Sequence, residues 1–403
     1  MNILYLCDEY PPGRHGGIGT AVQILARQMV KMGHSVVVAG LYGWGYGGAD
    51  RFTDEGVKVY RFRRAYDSSL FRVRNPLYTR VLYKLCTVTG IFQRSIEKSL
   101  RQYHVDLEQL ISEFAIDIVE MPDFNDYVQY CNRYTAFPKL SKPVIVKLHS
   151  SLTFLRKERG LLVPAHMQAM EKDILGSAAA VCSVSKYTAQ KTKVYFDHQK
   201  PIRTIYNGIV IGPDGQDAAK NINQVVYTGA LVSFKGIYQL MKAWNIVHAR
   251  MQGVTLQVYG KGDVARARAE LNKEAAGTVI FNGHIPREAL MLALRSASIA
   301  VFPSYIESFA FGPMEAMENN TTVIYTKRVS GPELIEDGIN GILIDPDNYE
   351  DIADKIIYLL RHKSENDVMA GKGRTTIKQR FDIEVIAAQN LAFYAEVLAG
   401  SEL

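Results

Sequence analysis

The sequence predicts an α/β protein made of two Rossmann-like β/α/β domains in tandem, and three observations carry that expectation. Its 403 residues are too many for one ordinary core and comfortable for two domains of about 200 residues each. Hydrophobic residues at 47% and charged residues at 22% are ordinary globular values, which excludes a disordered or fibrous chain. A strand–loop–helix–strand pattern spanning about 30 residues occurs twice. Each copy is a βαβ unit, which implies a parallel sheet with helices on both faces.

In chain order, residues 2–7 read as a buried strand. The Gly-rich loop Pro11-Pro-Gly-Arg-His-Gly-Gly-Ile-Gly19 follows, then a helix over 20–31 with Val22, Leu25, Ala26 and Met29 at helical spacing. Gly33 stands where a helix C-terminal glycine belongs, and 36–39 is the next strand. Short apolar runs at 116–120, 144–148 and 179–183 continue the first sheet. The turn-rich stretch Gly212-Pro-Asp-Gly-Gln-Asp217 marks the connection between domains. The second domain repeats the order with a strand at 224–229, a helix at 235–250 and a strand at 254–259. Further strands are expected at 278–281, 299–302, 323–325 and 341–344, and a last helix over 383–398. The domain limits are 1–206, a linker 207–222, then 223–380, with 381–403 as the C-terminal helix.

Cys7, Cys86, Cys131 and Cys182 lie far apart with no Cys-x-x-Cys pair, which argues against a disulfide scaffold or a zinc ribbon. The opening run Met1-Asn-Ile-Leu-Tyr-Leu-Cys7 is too short for a signal-peptide apolar region and lacks a basic flank. No stretch approaches the roughly 18 uninterrupted apolar residues of a membrane span. A soluble, reducing, cytoplasmic location is the expectation. The net charge of +6 is uneven, with 28 Lys/Arg against 18 Asp/Glu in residues 1–206 and 19 against 23 in the rest. The excess concentrates in 61–103, where Arg61, Arg63, Arg64, Arg72, Arg74, Arg80, Lys84, Arg94, Lys98 and Arg101 face only Asp67 and Glu97. Tyr66, Phe71, Tyr78, Tyr83 and Phe92 are interleaved. Such a stretch suits anionic lipid headgroups or a nucleic-acid backbone; a solvated helical face is the alternative.

Ligands of open parallel sheets bind beyond the carboxyl ends of the strands. In the second domain, Gly229-Ala-Leu-Val-Ser-Phe-Lys235-Gly236 puts a lysine beside a helix N-terminus, a geometry that suits a phosphate. A purely structural lysine is the plainer alternative. Phe302-Pro-Ser-Tyr305 leads into Glu307-Ser-Phe-Ala-Phe-Gly-Pro-Met-Glu315, where Pro313 fits a first helical turn. Glu307 then lies in the loop and Glu315 early on the helix. Two such carboxylates can accept hydrogen bonds from sugar hydroxyls, or serve only as a loop acid and a first-turn acid favoured by the helix dipole. Asp345-Pro-Asp347 precedes the helix at 349–360, where a capping role is expected rather than metal binding.

Together these features resemble the family-4 glycosyltransferases of the GT-B fold, over nearly the whole length. The resemblance rests on Glu307-x7-Glu315 followed by Ala316-Met317, on Gly229 with Lys235-Gly236, and on Tyr206-Asn-Gly-Ile209. Gly16-Gly17 with Gly19, and Val146-Lys-Leu-His149, complete it. It implies two Rossmann-like domains facing across a cleft, with the final helix returning to the first. It also implies a retaining hexosyltransferase that uses a nucleotide sugar, such as a UDP-sugar, without a metal cofactor. By resemblance Glu315 holds the donor ribose, Glu307 the transferred sugar and Lys235 the diphosphate, which the amides of Phe311 and Gly312 approach. Gly17 lines the cleft from the other side, and His149 lies near the sugar; read without the family, a satisfied buried histidine is the favoured reading. His284 and Ile285 are base-side candidates, Asp123 and Ser150 acceptor-side candidates, and Glu333 matches a family acid.

The chain departs from the family at Ala230, where arginine is usual, so one of two cationic phosphate contacts is missing or supplied from elsewhere. Ser308 and Ala310 replace glycines, and Asn320 and Thr322 replace a later Gly and Pro. The partners implied are a nucleotide sugar, a glycan or lipid-linked acceptor in capsule, exopolysaccharide or lipopolysaccharide assembly, and an anionic inner membrane face; no nucleic acid is expected. Three rival readings remain open. They are a nicotinamide-dependent oxidoreductase, which lacks the spaced Gly-x-Gly-x-x-Gly, a GT-B epimerase or phosphorylase, and a non-catalytic sugar-nucleotide-binding protein.

Overall fold

The computed structural model describes residues 1–13, 15–43, 46–64, 81, 82, 84–86, 88–213 and 220–400. The chain divides into two compact units, Met1–Gly208 with Ile386–Leu403, and Ile209–Val385.

The first unit runs β1 (Asn2–Leu6), α1 (Gly17–Lys31), β2 (Ser35–Tyr42), β3 (Arg51–Asp54), β4 (Val57–Arg63), α2 (Ile91–Glu113) and β5 (Ile118–Pro122). It continues with β6 (Val144–Leu148), α3 (Leu152–Glu158), α4 (Ala165–Ser177), β7 (Ala180–Ser183), α5 (Lys186–Phe196) and β8 (Arg203–Thr204). The sheet order is β3-β4-β2-β1-β5-β6-β7-β8, parallel except for the β3–β4 pair. Central strands buried on both faces read as near-continuous apolar runs, and 144–148 forms β6 at those bounds although Lys147 interrupts its run. Helix α1 begins at Gly17 rather than Thr20. Gly16 offers no side chain to cap it, and the Glu9 carboxylate instead accepts the Gly19 N–H at 2.8 Å.

The β3–β4 hairpin was not expected, and it corrects the reading of the basic stretch. Arg61 follows Val57 and Val59 on the inward face of β4 and is buried. Its guanidinium donates to the carbonyls of Tyr10 and Pro12 at 2.9 and 2.7 Å and lies 4.7–5.1 Å from the rings of Tyr42, Tyr46 and Phe52. An arginine whose terminal nitrogens are held by carbonyls and whose guanidinium lies among aromatic faces is a core residue, although its buried Nε finds no hydrogen-bond partner among the described residues.

The second unit runs β9 (Asn221–Thr228), α6 (Ile237–Arg250), β10 (Thr255–Tyr259), α7 (Val264–Arg268), α8 (Lys273–Ala276), β11 (Val279–Gly283), α9 (Arg287–Ser296) and β12 (Ala297–Phe302). Then come α10 (Phe311–Glu318), β13 (Thr322–Thr326), α11 (Gly331–Leu334), β14 (Ile342–Ile344), α12 (Tyr349–Arg361) and α13 (Lys363–Arg380). Its six strands are all parallel, in the order β11-β10-β9-β12-β13-β14. The winding reverses between β9 and β12, the kind of switch point beyond whose strand ends open α/β sheets bind their ligands.

Helix α14 (Ile383–Leu398) starts in the second unit, and from Ile386 it belongs to the first. Within the first unit its Tyr394 hydroxyl donates to Glu120 Oε2 at 2.6 Å, and Lys147 Nζ donates to Asn390 Oδ1 at 2.7 Å and Glu120 Oε1 at 3.0 Å. Every charge in this buried cluster therefore has a partner, the condition under which buried ions are tolerated. Of the sequence segments discussed above, Arg14, Tyr66, Asp67, Phe71, Arg72, Arg74, Tyr78, Arg80, Tyr83, the 214–219 part of the linker and 401–403 of the C-terminal segment lie outside the described residues.

Candidate active site

The reversal in the second unit's sheet fixes where its functional side chains meet. After β9 the chain passes Gly229, makes a 3-10 turn over Ser233–Lys235 and enters α6 through Gly236, whose φ of 73° is left-handed and whose cap position brings no side-chain acceptor. After β12 the loop 303–310 lies against it, tied by the Tyr305 N–H donating to Phe234 O at 2.8 Å. Lys235 Nζ thereby reaches Glu307 Oε1 at 2.6 Å, and Ser304 Oγ donates to the same oxygen at 3.1 Å. The two side chains are 26% and 11% exposed, so the pair is half-desolvated and open on one side.

Glu315 is buried on α10, where Phe311 and Gly312 supply the first amides and Ala310 provides no side-chain cap. Its Oε1 accepts from Arg287 Nη1 at 2.5 Å. Sequence reasoning missed Arg287. A cation in the first turn of α9 opposes the helix dipole, and that anomaly was the available signal. The loop that delivers it from β11 carries His284, exposed, and Ile285, half-buried. Glu333 lies on α11.

Asp345 and Asp347 do not cap the helix that follows them. Asn348 does, accepting the Asp351 N–H at 3.0 Å. Both aspartates instead bind Arg328, at 2.7 and 2.5 Å, and Asp345 also binds Lys327 at 3.2 Å. Two neighbouring cations outcompete the helix amides for these carboxylates.

In the first unit, Asp123 follows β5 and His149 follows β6. The Asp123 Oδ1 accepts the His149 N–H at 2.6 Å, and the carboxylate also takes the Ser151 amide. Between them Ser150 is buried with φ of 89°, a conformation that costs a non-glycine residue about 1–3 kcal/mol and persists only where surrounding bonds impose it. Gly17 heads α1, is exposed, and would meet no atom within 4 Å if it carried a Cβ. Burial pushes the Asp123 carboxyl up to about 7 against the pull of its amide donors, and pushes the His149 imidazole down to about 3, with the Lys147 charge adding to the effect.

A histidine whose proton affinity falls on folding contributes stability above its ordinary value of 6.5, and that contribution is lost as pH falls towards 3. Wild-type protein should therefore lose unfolding free energy between pH 6.5 and 4 more steeply than His149→Gln. Denaturant titrations at several pH values check this; parallel curves would remove His149 from the acid limb.

The family model described as Glycosyltransferase Family 4 matches residues 15–211, and that described as Glycosyl transferases group 1 matches 222–362. The chain is a group 1 glycosyltransferase of the family 4 type. Glycogen synthase of Mycobacterium tuberculosis is 23% identical over 99% of this glycosyltransferase and 96% of its own length. Among solved structures, sucrose-phosphate synthase from Thermosynechococcus elongatus superposes with a TM-score of 0.74 at 18% identity, over 100% of both chains. Anabaena HepE in complex with UDP and glucose superposes at 0.69 and 16% identity, over 98% of this chain and 100% of that one. The fold is the GT-B fold of these neighbours.

Elsewhere on the glycosyltransferase, the basic stretch separates into parts. Arg63 and Arg64 pair with Asp50 and Asp126, and Phe92 packs into the core rather than standing at the surface. Lys84, Arg94, Lys98 and Arg101 are exposed, and so are Val81, Leu85, Val88 and Ile91. No helix among the described residues is long and apolar enough to cross a membrane. Among the same residues no three His, Cys, Asp or Glu side chains converge in a way that could hold a metal ion.

Proposed function

We propose that this glycosyltransferase moves a sugar from a nucleoside-diphosphate sugar to an acceptor hydroxyl in glycan assembly, with retention of anomeric configuration. The meeting of Lys235 with Glu307 at the sheet's reversal, with Glu315 on the helix α10 that follows the Glu307 loop, carries this reading. Lys235 and the amides of Phe311 and Gly312 face the diphosphate, Glu315 accepts from the ribose hydroxyls, and Glu307 accepts from the transferred sugar. His284 and Ile285 flank the base. UDP, which HepE binds in its solved complex, is the first nucleotide to try.

The reaction is a front-face displacement. The bond from the anomeric carbon to the diphosphate oxygen breaks, the acceptor oxygen bonds to the same face, and the acceptor's proton passes to the departing diphosphate. Negative charge grows on that leaving group, and positive groups fixed beforehand stabilise it without reorganising. His149, kept neutral by burial, can offer a hydrogen bond rather than a charge. Asp123 spends its carboxylate on the amides flanking Ser150 and so positions that turn.

Transfer is expected to survive complete chelation of divalent ions, because cationic side chains and helix amides take the metal's place. Product analysis with UDP-, GDP- and ADP-sugars, with and without EDTA, checks the reading. Activity abolished by chelator and restored by Mg²⁺ or Mn²⁺ would show the site misread. Donor conversion without acceptor would favour the epimerase or phosphorylase alternative.

The acceptor is proposed to be lipid-linked at the cytoplasmic face of an anionic membrane. Arg94, Lys98 and Arg101 recur at helical spacing on α2, next to the exposed apolar row Val81, Leu85, Val88 and Ile91. Each basic residue near an anionic surface contributes about 1 kcal/mol, screened within about 10 Å at 0.1 M salt. The protein should pellet with anionic vesicles at low salt, release as salt rises, and ignore neutral vesicles. The triple variant Arg94→Glu, Lys98→Glu, Arg101→Glu should stay in solution. Wild-type protein that ignores anionic vesicles would make a soluble acceptor the better reading.

A further inference from the structure

Five Lys or Arg residues stand at the carboxyl end of the second unit's sheet, namely Lys235, Lys261, Arg287, Lys327 and Arg328. Four of them are held by carboxylates. Lys235 pairs with Glu307, Arg287 with Glu315, Lys327 with Asp345, and Arg328 with Asp345 and Asp347. Lys261 is exposed and, among the described residues, forms no ion pair.

The backbone around Lys261 is locked beside the loop that leads to Lys235. The Gly229 N–H donates to Tyr259 O at 2.9 Å, the Leu231 N–H donates to Lys261 O at 2.8 Å, and Leu231 bridges Gly262 in parallel register. The two chains run so close that a Cβ at Gly260 would stand 1.8 Å from Gly229 O, and one at Gly262 2.6 Å from Leu231 O. Glycines on both sides thus hold the Lys261 backbone against Leu231, next in the chain to Ala230, an exposed residue that brings no charge.

Charge balance indicates what this lysine is for. Lys235 with Glu307 and Arg287 with Glu315 sum to zero before any donor arrives, whereas a diphosphate linked at both ends brings two negative charges. Partial desolvation of those charges is costly unless cations accompany them. We infer that Lys261 is a donor-binding residue, the second cation on the diphosphate beside Lys235. The inference rests on the nucleoside-diphosphate-sugar reading above. A lysine suits the place because its ammonium sits on a flexible four-carbon stem with three donors.

The test uses UDP, GDP and ADP as probes by calorimetry, each with its monophosphate, on wild type, Lys261→Ala and Lys261→Arg. Unliganded melting temperatures should coincide, since the side chain is exposed and unpaired. For the diphosphate that wild type binds best, Lys261→Ala should weaken affinity about tenfold or more, the loss expected for a charge-assisted contact. The matching monophosphate should lose under about threefold, Lys261→Arg should stay within about threefold of wild type, and donor KM should rise more than kcat falls. Unchanged diphosphate affinity in Lys261→Ala, or equal losses for mono- and diphosphate, would overturn the assignment while leaving the donor reading intact. Wild-type protein that binds none of the three diphosphates would overturn both.

Discussion

Replacing Lys235 with alanine is expected to lower kcat/KM for sugar transfer about 100- to 1000-fold, the usual effect of removing one preorganised stabiliser of transition-state charge. Two losses combine in that number. The diphosphate loses the cation that stands beside the N-terminus of α6, and among the described residues Glu307 keeps only the Ser304 hydroxyl as a side-chain donor in a position that is 11% exposed. An unaccompanied carboxylate there repels the departing diphosphate, so the variant should be worse than one that removes both charges. Lys235→Ala combined with Glu307→Gln should therefore recover part of the lost affinity for nucleoside diphosphate. Steady-state kinetics and a binding titration decide the matter, with melting curves to confirm folding. Wild-type kcat/KM in Lys235→Ala would remove the lysine from the chemistry.

The two signature glutamates should separate in their effects. Glu315→Ala is expected to weaken nucleoside diphosphate binding about 10- to 100-fold, corresponding to the roughly 1.5–3 kcal/mol of a hydrogen bond to a charged group. Glu307→Ala should leave that affinity near wild type and slow turnover instead. The geometry supports the division. Glu315 is buried on a helix with Arg287 on its outer side, a rigid acceptor for a ribose, whereas Glu307 sits in a loop between Lys235 and Ser304. Arg287→Ala should mimic Glu315→Ala in milder form, since the arginine is 54% exposed and orients the carboxylate. Equal wild-type turnover and affinity in both glutamate variants would refute the division of roles.

The elements legible in the sequence share one property, that their signal lies within a few consecutive residues. The run at 144–148 and the helix over 383–398 stand in the structure at the bounds their apolar patterns indicate. A strand covered on both faces is near-continuously apolar, with only Lys147 interrupting this one, and hydrophobic periodicity is local. Strand β4 escaped for the converse reason. Its inward position is taken by Arg61, and composition counts such a residue as surface charge until the carbonyls and rings around it are known.

Lys235, Glu307 and Glu315 stand beside helix starts and strand ends in the sequence, and the family resemblance makes them donor-side candidates. Their partners could not be named in advance. Lys235 and Glu307 are 72 residues apart and meet because β9 and β12 are neighbours in the sheet. Arg287 reaches Glu315 from the far side of the same sheet order, and Arg328 draws Asp345 and Asp347 away from the helix they precede. By itself the sequence determined the fold class, the family and the types of side chain offered to a donor. Only the tertiary structure decided which charges cancel and which stay available, because ion pairing depends on distances between loops that the order of strands in the sheet alone brings together.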